Sequence, residues 1–220
     1  NALQEKGDLG AAIDSYKQAL KIKPDFAQAY NNIGNALQEK GDSEAAIDSY
    51  KQALKIKPDY NEAYNNMGNA LQKKGDSEAA IDSYKQALKI KPGYAEAYYN
   101  MGKALKRVMF TKPDSSMQEI VTSILNQKIY VSPYDISLAA ISLLKFEPVI
   151  KDLFEKHSAG KVRQSLGKLT SNLSEVPLLL KLMSVCPLAD LGLETVLTDL
   201  RSALLLSVSE ISDTPAVLRF

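Results

Sequence analysis

Residues 27–60 read AQAYNNIGNALQEKGDSEAAIDSYKQALKIKPDY, and residues 61–94 return as NEAYNNMGNALQKKGDSEAAIDSYKQALKIKPGY. The two blocks are each 34 residues long and differ at five positions (27/61, 28/62, 33/67, 39/73 and 59/93). Residues 1–26 are the end of an earlier copy, and residues 95–105 are the start of a later one. A fixed period in this range marks a solenoid. One copy is an amphipathic unit that cannot bury its apolar face alone, and stacking the copies closes a continuous core.

Within a copy, apolar residues fall at Tyr30, Ile33, Ala36 and Leu37, then at Ala46, Ile47, Tyr50, Ala53 and Leu54. This is helical spacing, and it predicts a first helix over about Ala27–Lys40 and a second over about Ser43–Ile56. Gly41 stands where a left-handed residue would end the first helix, and Asp42 follows as an N-cap or first-turn acid. Pro58 stops the second helix. Asp59 and Glu62, like Asp25 and Gln28, have the spacing of a capping box for the next first helix. On that reading, Gly93 in place of Asp costs the fourth copy a few tenths of a kcal/mol. Gly34 and Ala46 are small where two helices must approach. Alanine is expected to be tolerated there far better than leucine, which would overpack by roughly 1–3 kcal/mol.

Tyr30, Ile33, Gly34, Leu37, Ala46, Tyr50, Ala53 and Pro58 together resemble the tetratricopeptide (TPR) pattern, with Tyr30 and Leu37 standing in for the family's Trp and Tyr. The resemblance implies an all-α fold, a right-handed TPR superhelix over residues 1–108. Its copies are 1–26 (partial), 27–60, 61–94 and 95–108 (partial). The Gly, Ala and Pro landmarks fail after Leu105, and the boundary is placed near Arg107–Asp114, with Lys112-Pro113 as the break. Residues 109–220 read as a helical region. Its predicted helices are about Ser115–Gln127 (capping box Ser116 and Glu119), Asp135–Phe146, Pro148–His157, Val162–Leu173, Glu175–Val185 (N-cap Ser174, Pro177 in the first turn) and Leu191–Ser209 (N-cap Asp190). Leu178–Met183 is apolar nearly all round and is expected at the centre of a small core.

The stretches DISLAAISLLKFEP (Asp135–Pro148) and VPLLLKLMSVCPLADLGLETVLTDLRSALL (Val176–Leu205) resemble the helical segment between TPR arrays and S-adenosylmethionine-dependent methyltransferase domains in bacterial proteins. This implies that a catalytic domain would lie beyond Phe220. The chain opens without Met inside a repeat, and Thr214–Phe220 looks like the start of another element. It therefore reads as part of a longer protein, and the compartment expected by default is the cytoplasm. The cut first repeat, with Leu3 and the Ala11–Tyr16 face lacking a neighbour, predicts weak self-association through residues 1–20.

Composition narrows the function. Lys plus Arg is 27 against 26 for Asp plus Glu, so no strong field selects nucleic acid or an anionic membrane. The longest apolar run, Val176–Val185, is interrupted by Lys181 and too short to span a bilayer. The chain holds one Cys, Cys186, and one His, His157, which disfavours disulfides and a Cys/His metal site. Cys186 reads as a small core residue and His157 as a helix end. Gly160-Lys161 and Gly167-Lys168 lack the glycine spacing and Ser/Thr of a phosphate loop. Asn172-Leu173-Ser174 fits a glycosylation sequon, which means little in the cytosol. No catalytic set, metal or cofactor is expected.

The carboxamides carry the functional signal. Gln28, Asn31, Asn32, Asn35 and Gln38 share one face of the first helix, and Glu62, Asn65, Asn66, Asn69 and Gln72 repeat it. Asn costs a helix about half a kcal/mol relative to Ala, so three in five residues are an unusual choice for a merely solvated face. Asn offers both donor and acceptor to a peptide bond, whatever the peptide's sequence. The TPR resemblance implies that these residues line a concave groove. Asn32, Asn66 and Asn100 match the asparagine ladder with which some arrays hold an extended peptide. The candidate binding set is Gln28, Asn31, Asn32, Asn35, Asn65, Asn66, Asn69, Tyr99, Asn100 and Lys103, with a protein or peptide as partner. The family's carboxylate clamp fits poorly, because Asn31 and Asn65 stand where its first Lys would be. Lys103 and Arg107 read as a solvated edge. Against a binding role, three ladders copied from one ancestral repeat amount to a single observation. The non-catalytic front of a methyltransferase and a structural spacer both stay open. With no strand, glycine loop and helix unit to hold the methyl donor, the chain is expected to show no stoichiometric micromolar binding of S-adenosylmethionine by calorimetry.

Overall fold

The computed structural model describes residues 9–106, 108–126, 132–158 and 176–185, with Glu194, Thr195 and Thr198. The chain divides into two compact units after Leu105. The described residues of the first form, in succession, α1 (Leu9–Ile22), α2 (Ala27–Glu39), α3 (Ser43–Ile56), α4 (Asn61–Lys74), α5 (Ser77–Ile90) and α6 (Ala95–Ala104). Each helix packs on the next, and the first helices α2, α4 and α6 also touch in succession. This is a stacked all-α solenoid.

The turns explain the strict period. Gly41 and Gly75 hold φ of 87° and 90°, a region closed to most side chains. After Gly41, the Asp42 N–H reaches back to the Leu37 carbonyl (3.0 Å) and the Gly41 N–H to that of Gln38 (3.1 Å). This is a Schellman ending. Asp42 then starts the next helix, its Oδ1 accepting from the Ala45 N–H at 3.0 Å, and Asp76 does the same for Ala79 at 3.1 Å. One residue thus closes one helix and opens the other.

The junctions between repeats differ from the sequence expectation. The N-cap positions are Phe26, Tyr60 and Tyr94, and none of them makes a side-chain cap bond. Asp25 and Asp59 lie one residue too early, inside the turn that follows proline, so the expected capping boxes do not form. Gly93 accordingly removes no cap. The aromatic at this position acts by packing instead. Tyr60 is buried among Ala27, Ala53 and Ala63, and Lys57 lies over its ring at 4.8 Å. Lys23 over Phe26 and Lys91 over Tyr94 repeat the pair at 5.7 and 5.0 Å.

Within a repeat, the helices meet at Gly34 and Tyr50. Tyr50 and Tyr84 are completely buried. A Cβ added at Gly34 would stand 2.5 Å from Tyr50 Cε1 and 2.8 Å from Cδ1 and Cζ, and Gly68 meets Tyr84 at the same distances. Even alanine at Gly34 must therefore displace that ring, and leucine would need still more room. The obstacle is a buried ring with Ala46, Ile47 and Ala70 around it, leaving it nowhere to move. At the neighbouring interface, Ile13, Ile33 and Ala36 form the equivalent cluster.

The second unit contains α7 (Ser115–Asn126), α8 (Pro133–Leu144), α9 (Pro148–Ser158) and α10 (Pro177–Val185). The cap of α7 is Asp114, whose Oδ1 accepts from the Met117 N–H at 3.0 Å, in place of the expected Ser116 and Glu119 pair. Helix α8 starts at Pro133, two residues before the expected Asp135, because proline suits the first helical position. Leu178, Leu179 and Leu182 of α10 are buried, as the apolar run predicts, and α10 packs on α7 and α8. The expected helices at 162–173 and 191–209, the cap at Ser174, Cys186, the two Gly-Lys pairs, the sequon and the terminal element lie outside the described residues, apart from the three isolated positions named above.

Gly34→Ala is expected to lower stability by about 1–3 kcal/mol in urea unfolding through overpacking. Adding Tyr50→Phe should not rescue it, because the clash is with ring carbons. Unchanged stability would show that the two helices have room to spare.

Candidate functional site

The amides of the first helices do not stand free; they bond from repeat to repeat. Asn66 Nδ2 on α4 donates to Asn31 Oδ1 at 3.2 Å and to Asn35 Oδ1 at 3.1 Å, both on α2. Asn100 Nδ2 on α6 donates to Asn65 Oδ1 at 3.1 Å on α4. Asn65 Nδ2 in turn donates to Glu96 Oε1 at 3.0 Å. Residues 35 and 31 apart thus meet on neighbouring first helices, which fixes the register of the stack.

A second set of bonds joins the two helices of each repeat. The Tyr50 hydroxyl reaches Asn35 Oδ1 (2.8 Å) and Gln38 Oε1 (2.9 Å). Tyr84 reaches Asn69 Oδ1 (2.8 Å) and Gln72 Oε1 (3.2 Å) in the same way. Asn35 Oδ1 therefore lies where both sets converge.

The candidate residues separate by accessibility. Asn65 is fully buried and Asn31 is 5% exposed. Both were expected on the binding face, yet their amides are covered by the next repeat and occupied by Asn66, Asn100 and Glu96. Asn32, Asn35, Asn66, Asn69 and Asn100 are half-buried, and Gln28 and Lys103 are exposed. Tyr99 is 37% exposed, with the Lys103 ammonium 5.4 Å from its ring centre.

Several tyrosine hydroxyls titrate far from their usual range. Burial, and then the charge of Glu39, pushes Tyr50 well up; burial and then Glu96 do the same to Tyr84. Tyr94 is raised by burial, by the charge of Glu96, by the bond its hydroxyl donates to Glu96 Oε2 at 3.3 Å, and by Glu62.

Two features escaped the sequence reading. In the sequence Tyr50 reads only as an apolar residue, although Asn35 and Gln38 precede it by 15 and 12 residues and the same spacings recur before Tyr84. The Lys and aromatic pair three residues apart at each junction also recurs with the period. Among the described residues, no group of His, Cys, Asp and Glu could hold a metal ion, and no helix is long and apolar enough to cross a membrane. His157 lies in the last turn of α9, as expected of a helix end.

Comparison with known proteins identifies the array. The TPR repeat family model matches residues 1–41, 39–75 and 73–108, so this part of the chain consists of tetratricopeptide repeats. No curated protein matches the chain. Similar solved structures include the first TPR of Spaghetti (RPAP3) bound to the HSP90 peptide SRMEEVD (23% identity, 47% of this chain and 82% of that one, TM-score 0.46). An O-GlcNAc transferase mutant of Thermobaculum terrenum is 24% identical over 57% of this chain and 24% of its own, with TM-score 0.48. The crystal structure of MamA is 24% identical over 82% of this chain and 92% of its own, also with TM-score 0.48.

The raised hydroxyls give a pH dependence of definite sign. Tyrosine ionises near 10 when unfolded, and the folded state holds Tyr50 and Tyr84 protonated above that. Their contribution is complete below pH 10 and is lost as pH rises further, because only the unfolded chain then releases the protons. Alkaline titration should show the phenolate absorbance of these two residues appearing together with loss of helix. Their titration near 10 with helix content unchanged would contradict the buried network.

Proposed function

We propose, on the premise that residues 1–108 are tetratricopeptide repeats, that this chain is a protein-interaction module. It holds an extended peptide along the face made by α2, α4 and α6, and its role is binding rather than catalysis. The observation that carries the reading is the orientation of the ladder amides. Asn66 and Asn100 turn their nitrogens toward the preceding repeat, which leaves their carbonyl oxygens as acceptors. Asn32 occupies the same position one repeat earlier. A row of acceptors held in fixed register suits the N–H groups of an extended backbone, whose side chains are then free to vary. Because the preceding repeat holds the amides of Asn66 and Asn100 in place, little of their rotamer entropy remains to be lost on binding.

The ladder and the buried asparagines should respond differently to substitution. Replacing Asn32, Asn66 and Asn100 by Ala removes groups that face the peptide, each contributing about 0.5–1.5 kcal/mol to affinity. Stability should also fall, because Asn66 and Asn100 bond to the repeat before them. Helix propensity alone predicts the opposite sign. Asn65→Ala should cost about 1–3 kcal/mol of stability, and at a temperature where the variant is folded it should weaken peptide affinity less than the triple variant does, because it releases only the Asn100 amide. Titration calorimetry with a peptide selected on the full chain, paired with urea unfolding, measures both. Full affinity in the triple variant would rule out the ladder as the binding element.

A further inference from the structure

The turns that join one repeat to the next share a chemistry that the amide network does not use. They read KIKPDF (Lys21–Phe26), KIKPDY (Lys55–Tyr60) and KIKPGY (Lys89–Tyr94). In each, the isoleucine that ends the second helix stands between two exposed lysines. Ile22 is 87% exposed, Ile56 37% and Ile90 36%, so a large apolar side chain meets solvent at the same place three times. The second lysine of each turn lies over the aromatic ring three residues on. Among the described residues, no ion pair takes any of these lysines. Connections this short make neighbouring helices antiparallel. All three turns therefore fall on one edge of the array, and the Gly41 and Gly75 turns fall on the other.

The two edges differ in charge. The first two Lys-Ile-Lys turns set their lysines against Asp25 and Asp59, and the third has Gly93 in place of the acid. Glu62 and Glu96 stand in the first turns of α4 and α6, where Glu96 accepts from Asn65 and Tyr94. The opposite edge carries Glu39, Asp42, Glu44, Asp76 and Glu78 against Lys40, Lys73 and Lys74. The near-balance of charge over the whole chain is thus an average of unlike edges. Chemically equivalent sites at a constant period cannot read a varied sequence; they suit a partner that is uniform along its length. A nucleic-acid backbone is uniform and anionic, but it offers the isoleucines nothing apolar. A lipid surface offers anionic headgroups to the lysines and the acyl boundary to the isoleucines. We infer that the edge formed by the Lys-Ile-Lys turns docks on an anionic membrane surface, as a peripheral contact and not a span. This does not rest on the peptide-binding reading, because the amide face takes no part in it. Gly93, which removes no helix cap, removes an acid from this edge and makes the third turn the strongest of the three.

The test is co-sedimentation of the full chain with phosphatidylcholine vesicles, with and without phosphatidylserine. Binding is expected only to the vesicles that contain phosphatidylserine, and added salt should weaken it. Lys89→Gln with Lys91→Gln should weaken it by about tenfold or more. Lys40→Gln with Lys73→Gln removes the same charge from the opposite edge and should leave binding unchanged. Gly93→Asp restores the residue of the earlier turns at a position with open space around it, so folding is preserved, and it should weaken binding by about fivefold. The chain has no Trp, so Ile22→Trp supplies a single fluorescent reporter at the most exposed isoleucine. Its emission should shift to the blue on the anionic vesicles and be quenched by brominated acyl chains, with helix content unchanged by circular dichroism. Equal binding to neutral vesicles, equal loss in the two lysine pairs, or an unshifted reporter overturns the proposal. Binding of a single-stranded oligonucleotide without binding of either vesicle assigns the edge to nucleic acid and overturns it as well. All of these outcomes leave the peptide reading intact.

Discussion

The ring of Tyr50 lies against Gly34 at a distance that leaves no room for a Cβ, and its hydroxyl ends on Asn35 and Gln38. That contact sets how closely the two helices of a repeat approach. It also sets the position of Asn35, whose oxygen accepts from Asn66 of the next repeat. Packing inside one repeat is thereby coupled to alignment between repeats. The first helices come into register because amides 31 and 35 residues apart must meet. A face of half-buried carboxamides is the consequence, and the same bonds that stiffen the stack determine which atoms that face presents.

Much of this was legible in the sequence because it is locally encoded. The limits of the repeat helices follow from Gly41, Asp42 and Pro58, each acting through its own backbone chemistry. The buried stripe follows from helical spacing. What was not legible depends on contacts across the period. Asp59 was read as a cap from its spacing to Glu62, but the turn after Pro58 makes Tyr60 the first flanking residue, and burial of its ring takes the place of a side-chain bond. Asn31 and Asn65 were read as surface groups because a single helix projects them outward with Asn32. Only a neighbour stacked on that helix shows that they are enclosed. The tightness at Gly34 is hidden for the same reason, since the atom in the way belongs to a residue 16 positions later.

Near-identity of the repeats also turns departures into information. Asn31 and Asn65 each accept from the asparagine 35 residues on, and Asn35 and Asn69 each accept from the tyrosine 15 residues on. The fourth copy carries Tyr99 and Lys103 in these places, and they form a pair of their own. Gly93 stands where the earlier turns have Asp25 and Asp59, and what it removes is a charge on the turn edge, not a helix cap.

The central claim is that one oxygen, Asn35 Oδ1, links packing within a repeat to alignment between repeats. A double-mutant cycle in urea unfolding tests it directly, pairing Tyr50→Phe with Asn66→Ala. Because both donors converge on the same acceptor, the account predicts a coupling of about 0.5 kcal/mol or more, the range for residues sharing one network. Tyr50→Phe paired with Asn100→Ala, whose acceptor is Asn65, should be additive. Additivity in the first pair would contradict the account, since packing and alignment would then be independent.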